Sequence, residues 1–298
     1  MFVMEEKDIQ KTNSSEQQNE QTVKINDVSQ IDMTNFIEID RLKLFFGDPI
    51  IINDKITLYQ PTVGDIVEFG EKKFYSILYT LTCIPSDMKS ELWDANHTDW
   101  QTVDDFELFI TMTRMLTSED TKLFLGDLDL SKMIPCSRQD NGQLVLYDEK
   151  HDILIDKLIY LKIVTYIREM FNIYPKVEKA KNKKTFQVMI DFDRMQKLNQ
   201  RKNKDCNASM LLPLISSMLN SPGFKYKKNE LREVGICEFM DSVQRISTIV
   251  STTALLHGMY SGMVDTSKIN KNQFNWLRDL SEENKKHDGV MQIDNSKA

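Results

Sequence analysis

Residues 62–81 read TVGDIVEFGEKKFYSILYTL, and their pattern decides the fold class. Val63, Ile66, Val67, Phe74, Ile77, Leu78 and Leu81 recur at helical spacing, with Gly70 on the same face. Thr62 is placed to cap the helix start, and Asp65 stands where an acidic side chain completes a capping box. Gly70 gives room for a close neighbour while weakening the helix locally. Pro61, just upstream, limits extension of a preceding strand.

Working outward, residues 37–61 read IEIDRLKLFFGDPIIINDKITLYQP. Alternation around Leu42, Leu44 and Phe46, and again around Ile56, Leu58 and Gln60, predicts short strands joined through Gly47 and Asn53-Asp54. Downstream, Thr102 and Asp105 offer a second capping arrangement before Phe106, Phe109, Ile110, Thr113 and Leu116. A start at Thr117, in TSED, leads to Leu123 and Phe124 with an exit at Gly126. Pro135, an Asn141-Gly142 turn and the run LVLY predict a second small hairpin between residues 128 and 150.

The next stretch, HDILIDKLIYLKIVTYIREMFNIYP, is apolar around its whole circumference when read as a helix. Ile155, Leu158, Ile159, Leu161, Ile163, Val164 and Ile167 do not share one narrow face, so the segment is either buried on several sides or joined to another chain. Two later stripes have helical spacing: Met210, Leu211, Leu214, Ile215, Met218 and Leu219, then Ile236, Phe239, Met240, Val243, Ile246 and Val250. The expected fold is predominantly α-helical α+β, with a small N-terminal β-hairpin and a second hairpin packed with a multi-helix body. Its expected parts are a polar arm at 1–36, a hairpin plus helical domain at 37–174, a basic linker or short segment at 175–206, a helical region at 207–280 and a disordered tail at 281–298.

Composition narrows the function classes. The chain has 298 residues, 41% apolar and 28% charged, with a formal net charge of −7. That balance supports a sizeable core and argues against a generally nucleic-acid-binding surface. No apolar run reaches bilayer length, and the acidic start MFVMEEKDIQK does not read as a secretory signal. Cys83, Cys136, Cys206 and Cys237 are dispersed with no CxxC pair, which fits a reduced compartment. The 16 methionines suit either an adaptable binding surface or an irregular core.

No reaction centre is recognisable, and no catalytic residue, metal ligand or cofactor is expected. His97, His151, His257 and His287 are scattered, His151 reading as near a helix start and His257 near a helix end. The glycines make neither a phosphate-binding nor a dinucleotide-binding fingerprint. Asp104 and Asp105 fit the first turn of a helix, and Cys206 has no identifiable base. The strongest electrostatic feature is Lys176, Lys179, Lys181, Lys183 and Lys184 with Arg194, Lys197, Arg201, Lys202 and Lys204. Glu178, Asp191 and Asp193 interrupt it. Lys179, Lys181, Lys183, Lys184, Arg201 and Lys202 are candidate contacts to phosphate or to an acidic partner, with Phe186 or Phe192 available to stack on bases.

The combined pattern resembles the tail assembly chaperones of long-tailed bacteriophages that infect low-GC Gram-positive bacteria. The resemblance rests on FFGDPIIINDKITLYQPTVGDIVEFGEKKFYSILYTL at 45–81, LWD at 92–94, DDFELFI at 104–110, LLPLISSMLNSPGF at 211–224, EFMDSVQRI at 238–246 and YSGMVDTSKINKNQFNWLRDL at 260–280. It implies a non-enzymatic factor in the host cytoplasm that holds the helical tape-measure protein, or another tail protein, before tail tube polymerisation, with self-association around the client. Two alternatives stand beside it: a structural virion component of tail or head, and a nucleic-acid-binding accessory protein. Independently of the resemblance, reversible burial of an apolar client stripe is the physical mechanism, with Phe69, Phe74, Ile77, Phe106, Phe109, Met240 and Val243 as candidate contacts or core.

Overall fold

The computed structural model describes residues 39–138, 142–203, 208–262, 267 and 269–280. The arm at 1–36, the tail at 281–298, Asn141 of the expected turn and Cys206 lie outside the described residues. The architecture is predominantly α-helical, with two small antiparallel sheets packed among the helices.

The first departure from the alternation pattern is at Leu42, Leu44 and Phe46, which lie in helix α1 (Arg41–Phe46) and not in a strand. Asp40 caps it by accepting from the Lys43 N–H at 3.1 Å, and Gly47 ends it at φ +75°. Only Leu44 of the three is buried, which a one-sided helix satisfies as well as a strand does. The hairpin forms one step later, from β1 (Ile50–Asn53) and β2 (Ile56–Leu58), with Ile50 opposite Leu58. Asn53 Oδ1 accepts from the N–H groups of Lys55 and Ile56 and fixes the turn.

The 62–81 stretch is two helices, α2 (Val63–Phe69) and α3 (Glu71–Thr82), separated at Gly70. The Thr62–Asp65 capping box is present. Gly70 sits at φ +96° with nothing within 4 Å of where a Cβ would be, so it supplies a backbone bend and not a close approach. Close approach belongs to Gly64: a Cβ there would lie 2.7 Å from the Arg232 carbonyl oxygen.

Helices α4 (Lys89–Asn96), α5 (Asp105–Thr113) and α6 (Ser118–Leu125) follow. Asp104, not Thr102, caps α5, accepting from the Phe106 N–H at 2.9 Å. The second sheet has three strands, β3 (Ile134–Ser137), β4 (Leu144–Asp148) and β5 (Ile153–Ile155), one more than a hairpin. Its last strand uses residues read as the start of the following helix, and His151 consequently lies in the β4–β5 turn. Helix α7 (Lys157–Met170) begins at the Asp156 cap.

Helix α7 is buried on several sides: Ile163, Val164 and Ile167 have no exposed surface and Leu161, Tyr166 and Met170, on other sides, are buried too, while Leu158, near its start, remains half exposed. Burying each such aliphatic side chain is worth roughly 1.5–3 kcal/mol. Around it pack Phe74 and Phe124, stacked at 5.3 Å, and Phe109, which meets Tyr160 of α7 at 4.8 Å. Residues 175–206, expected as a basic linker or short segment, carry the 21-residue helix α8 (Lys183–Asn203). Helices α9 (Leu211–Leu219) and α10 (Ile236–Tyr260) complete the body.

The beginnings of α2 and α10 are tied together. The Val63 N–H donates to the Val234 carbonyl and the Ile236 N–H to the Pro61 carbonyl, each at 3.0 Å, while the Cys237 N–H donates to Gln60 Oε1 at 3.2 Å. Helix propensity alone predicts that Gly64→Ala stabilises α2. The contact with Arg232 predicts the reverse, a loss of about 1–3 kcal/mol, seen as a lower urea midpoint; an equal or higher midpoint would sink this account of the junction.

Candidate protein-binding face

Helix α8 has two unlike sides. At about 100° per residue, Phe186, Ile190, Asp193 and Lys197 fall within about 60° of one another. This side faces α4 and the 3₁₀ turns flanking it. Phe186 stacks on Trp100 with ring centres 4.5 Å apart and meets Trp93 edge-on at 5.2 Å. Ile190 is fully buried.

A polar clasp fixes the register. Asp193 Oδ2 accepts from the Ser90 N–H at 3.0 Å, from Ser90 Oγ at 2.7 Å and from Lys197 Nζ at 2.8 Å. Lys197 Nζ also donates to the Asp87 carbonyl at 2.7 Å and to the Glu91 carboxylate. Arg194 reaches Asp94 on α4 and Asp191 on its own helix. The approach to α8 is held as well: Lys89 Nζ pairs with Glu178 at 2.6 Å, Trp100 Nε1 donates to the Glu178 carbonyl at 3.0 Å, and the Ala180 N–H donates to Gln101 Oε1 at 2.7 Å. Burial alone disfavours an ionised Asp193, yet the donors from Lys197 and Ser90 outweigh it and hold its carboxyl below the usual range.

The opposite side of α8 faces solvent. Val188, Phe192, Met195 and Leu198 fall within about 120° of one another, and each is 47–63% exposed. Lys183 and Lys184 precede this stripe and Arg201 and Lys202 follow it, all four exposed. Asp191, paired with Arg194, and Asn199 share this side; an otherwise apolar line bracketed by cations at both ends is suited to another protein surface better than to a reacting small molecule.

The residues singled out from sequence are dispersed differently. Phe74, Ile77, Phe106 and Phe109 are buried in the core, and Phe69, Met240 and Val243 are partly buried against it. The structure does not bring these seven together on one open face. Lys179, Lys181, Lys183 and Lys184 lie exposed at or just before the start of α8, and Arg201 and Lys202 near its end, so one helix separates the two basic groups. Val188, Met195 and Leu198 were missed by the sequence reading, although their spacing with Phe192 carries a helical signal; Phe192 was weighed only as a stacking residue.

Burial pushes the Cys83 thiol up to about 12 and the Cys237 thiol up to about 11, away from the reactive thiolate. His151 Nδ1 lies 2.6 Å from Asp148 Oδ2, and Asp148 also accepts from the Lys150 N–H, which makes the pair a brace of the β4–β5 turn. A small cleft between α1 and α10 contains Arg41, Glu169, Asp241, Arg245 and Asp279, whose charges pair with one another. His257 lies in the last turn of α10. No cluster of metal-ligating side chains occurs among the described residues, and none of their helices is long and apolar enough to cross a membrane.

Comparison with protein-family models, curated proteins and solved structures returns no match.

Asp193→Asn removes the charge that gathers Ser90 and Lys197. The expected result is about 1–3 kcal/mol lower local stability, read as faster amide exchange across residues 186–197 with α10 unchanged. Because the folded carboxyl is depressed, its contribution is full above the ordinary value near ~4 and fades as pH falls through the folded value. Exchange in the native protein should therefore accelerate in α8 on acidification, and Asp193→Asn should blunt that response. An identical pH response in both proteins would remove Asp193 from the clasp.

Proposed function

We propose that this chain is a non-enzymatic protein-binding assembly factor, and specifically a bacteriophage tail assembly chaperone that holds the helical tape-measure protein in the host cytoplasm before the tail tube polymerises. The observation that carries the protein-binding part is the solvent-facing apolar stripe of α8, on a helix whose other side is firmly anchored. A rigidly held apolar ridge can cover a complementary stripe on a client without first ordering itself, which lowers the cost of association. The phage assignment rests on the sequence resemblance across residues 37–280.

A chaperone and a structural virion component differ in where the chain ends up. Native co-purification from producing cells, with quantitative mass spectrometry of the bound proteins and of mature particles, separates them. Enrichment with a long helical tail protein, together with depletion from particles, is the expected result. Stoichiometric retention in particles would replace the chaperone reading with a structural one.

A further inference from the structure

We infer that the solvent-facing side of α8 is the docking site for an amphipathic helix whose own apolar stripe is flanked at both ends by carboxylates. This deepens the protein-binding reading above and rests on it. The stripe from Val188 to Leu198 runs about 15 Å along the helix, and Lys184 and Lys202, which share its side, lie about 27 Å apart, with Lys183 and Arg201 beside them about 120° round from its middle. Phe192 and Met195 stand at its centre, both 63% exposed. An aromatic ring and a flexible thioether side by side suit an apolar ridge of another helix, where Met adapts to the partner's shape.

Charge selects among the occupants of this face. Asp193, Arg194 and Lys197 are consumed by the α4 clasp, and Asp191 is paired with Arg194. Lys183, Lys184, Arg201 and Lys202 form no ion pair with another described residue. The ends of the stripe are therefore both positive. A second copy of this chain docking α8 on α8 sets cation against cation in either direction, because parallel and antiparallel arrangements both bring basic ends together. A helix with carboxylates about 18 residues apart, bracketing apolar positions at i, i+4, i+7 and i+11, meets both ends with opposite charge. Nucleic acid matches the cations but leaves the central apolar line without a purpose on a phosphate backbone; an anionic bilayer takes both cations and apolar line, and what opposes it is the chain's net charge of −7.

The test uses the full chain and two synthetic helical peptides with the same apolar stripe, one flanked by Glu pairs and the other by Lys pairs at that spacing. Binding is read by fluorescence anisotropy at two salt concentrations. The Glu-flanked peptide should bind, the Lys-flanked peptide should bind roughly tenfold or more weakly, and salt should narrow the difference. Phe192→Ser with Met195→Ser should weaken the Glu-flanked peptide by roughly tenfold or more, the scale of losing anchoring side chains, with the thermal midpoint unchanged because both residues are exposed. Replacing Lys183, Lys184, Arg201 and Lys202 by Glu should invert the peptide preference, a readout that a merely structural role would not move.

Equal binding of the two peptides, or full binding by the Ser variant, overturns the inference. So does a concentration-dependent dimer in sedimentation that the Ser variant abolishes, which assigns the face to self-association. Selective binding of phosphatidylglycerol vesicles or a single-stranded DNA oligomer through these same residues, in place of the Glu-flanked peptide, assigns it to a polyanion. Failure here with intact tape-measure co-purification removes α8 as the site and leaves the chaperone reading standing; the expected peptide behaviour from a chain retained stoichiometrically in particles does the reverse.

Discussion

A helix with apolar side chains on every side has no stable position at a surface, and α7 imposes that constraint on the whole chain. Leu161, Val164, Ile167, Tyr166 and Met170 point to different sides of the helix and all are buried, so helices and strands must approach α7 from several directions at once. The aromatic cluster of Phe74, Phe124 and Phe171 and that of Phe106, Phe109 and Tyr160 meet this demand with large, well-shaped surfaces. Arg168, near the end of α7, is buried too, and its guanidinium donates from Nε and Nη2 to the Thr82 carbonyl at 3.1 and 2.7 Å. That contact satisfies a backbone acceptor at the end of α3 and fixes how the two helices meet.

Much of the first half of the chain is committed to enclosing α7. The seven apolar residues first chosen as binding contacts show this directly: the aromatic residues of α3 and α5 are excellent core material and were drawn inward. Helix α8 escapes because its buried side is narrow and partly polar. The Asp193 carboxylate, the stacked Phe186 ring, the enclosed Ile190 and the contacts of Arg194 and Lys197 with Asp94 and Glu91 anchor it, and this leaves the apolar residues on the far side outside the core.

Much of the fold was readable where one local signal dominated. The Thr62 capping box, the hairpin turn at Asn53 and the helical stripe of α10 each follow from side chains acting over a few residues. Reading failed where two periods give similar patterns. Leu42, Leu44 and Phe46 alternate, but three positions cannot distinguish a strand from a short helix, and the Asp40 cap and Gly47 exit decide the matter. Residues 153–155 look like the first turn of a long apolar helix until Asp156 is recognised as its cap. The candidate face was less visible still, since α8 hides a two-sided pattern within a basic, low-hydropathy segment, and its burial depends on Ser90, Asp94 and Trp100, a hundred or so residues earlier.

The junction between α2 and α10 has a kinetic consequence. Gln60 and Cys237 are 177 residues apart, and their hydrogen bond accompanies the backbone pairing that seats both helices. A ribosome adding about 5–20 residues per second needs about 9–35 s to bridge that interval. During that time Pro61 and Val63 wait with their main-chain groups exposed, and the start of α2 has no neighbour to close against. Loop closure over such a distance slows the final docking further. The nascent chain must therefore spend its synthesis as an incomplete body with apolar surface in the open, and it acquires its finished form only when the α10 sequence has emerged.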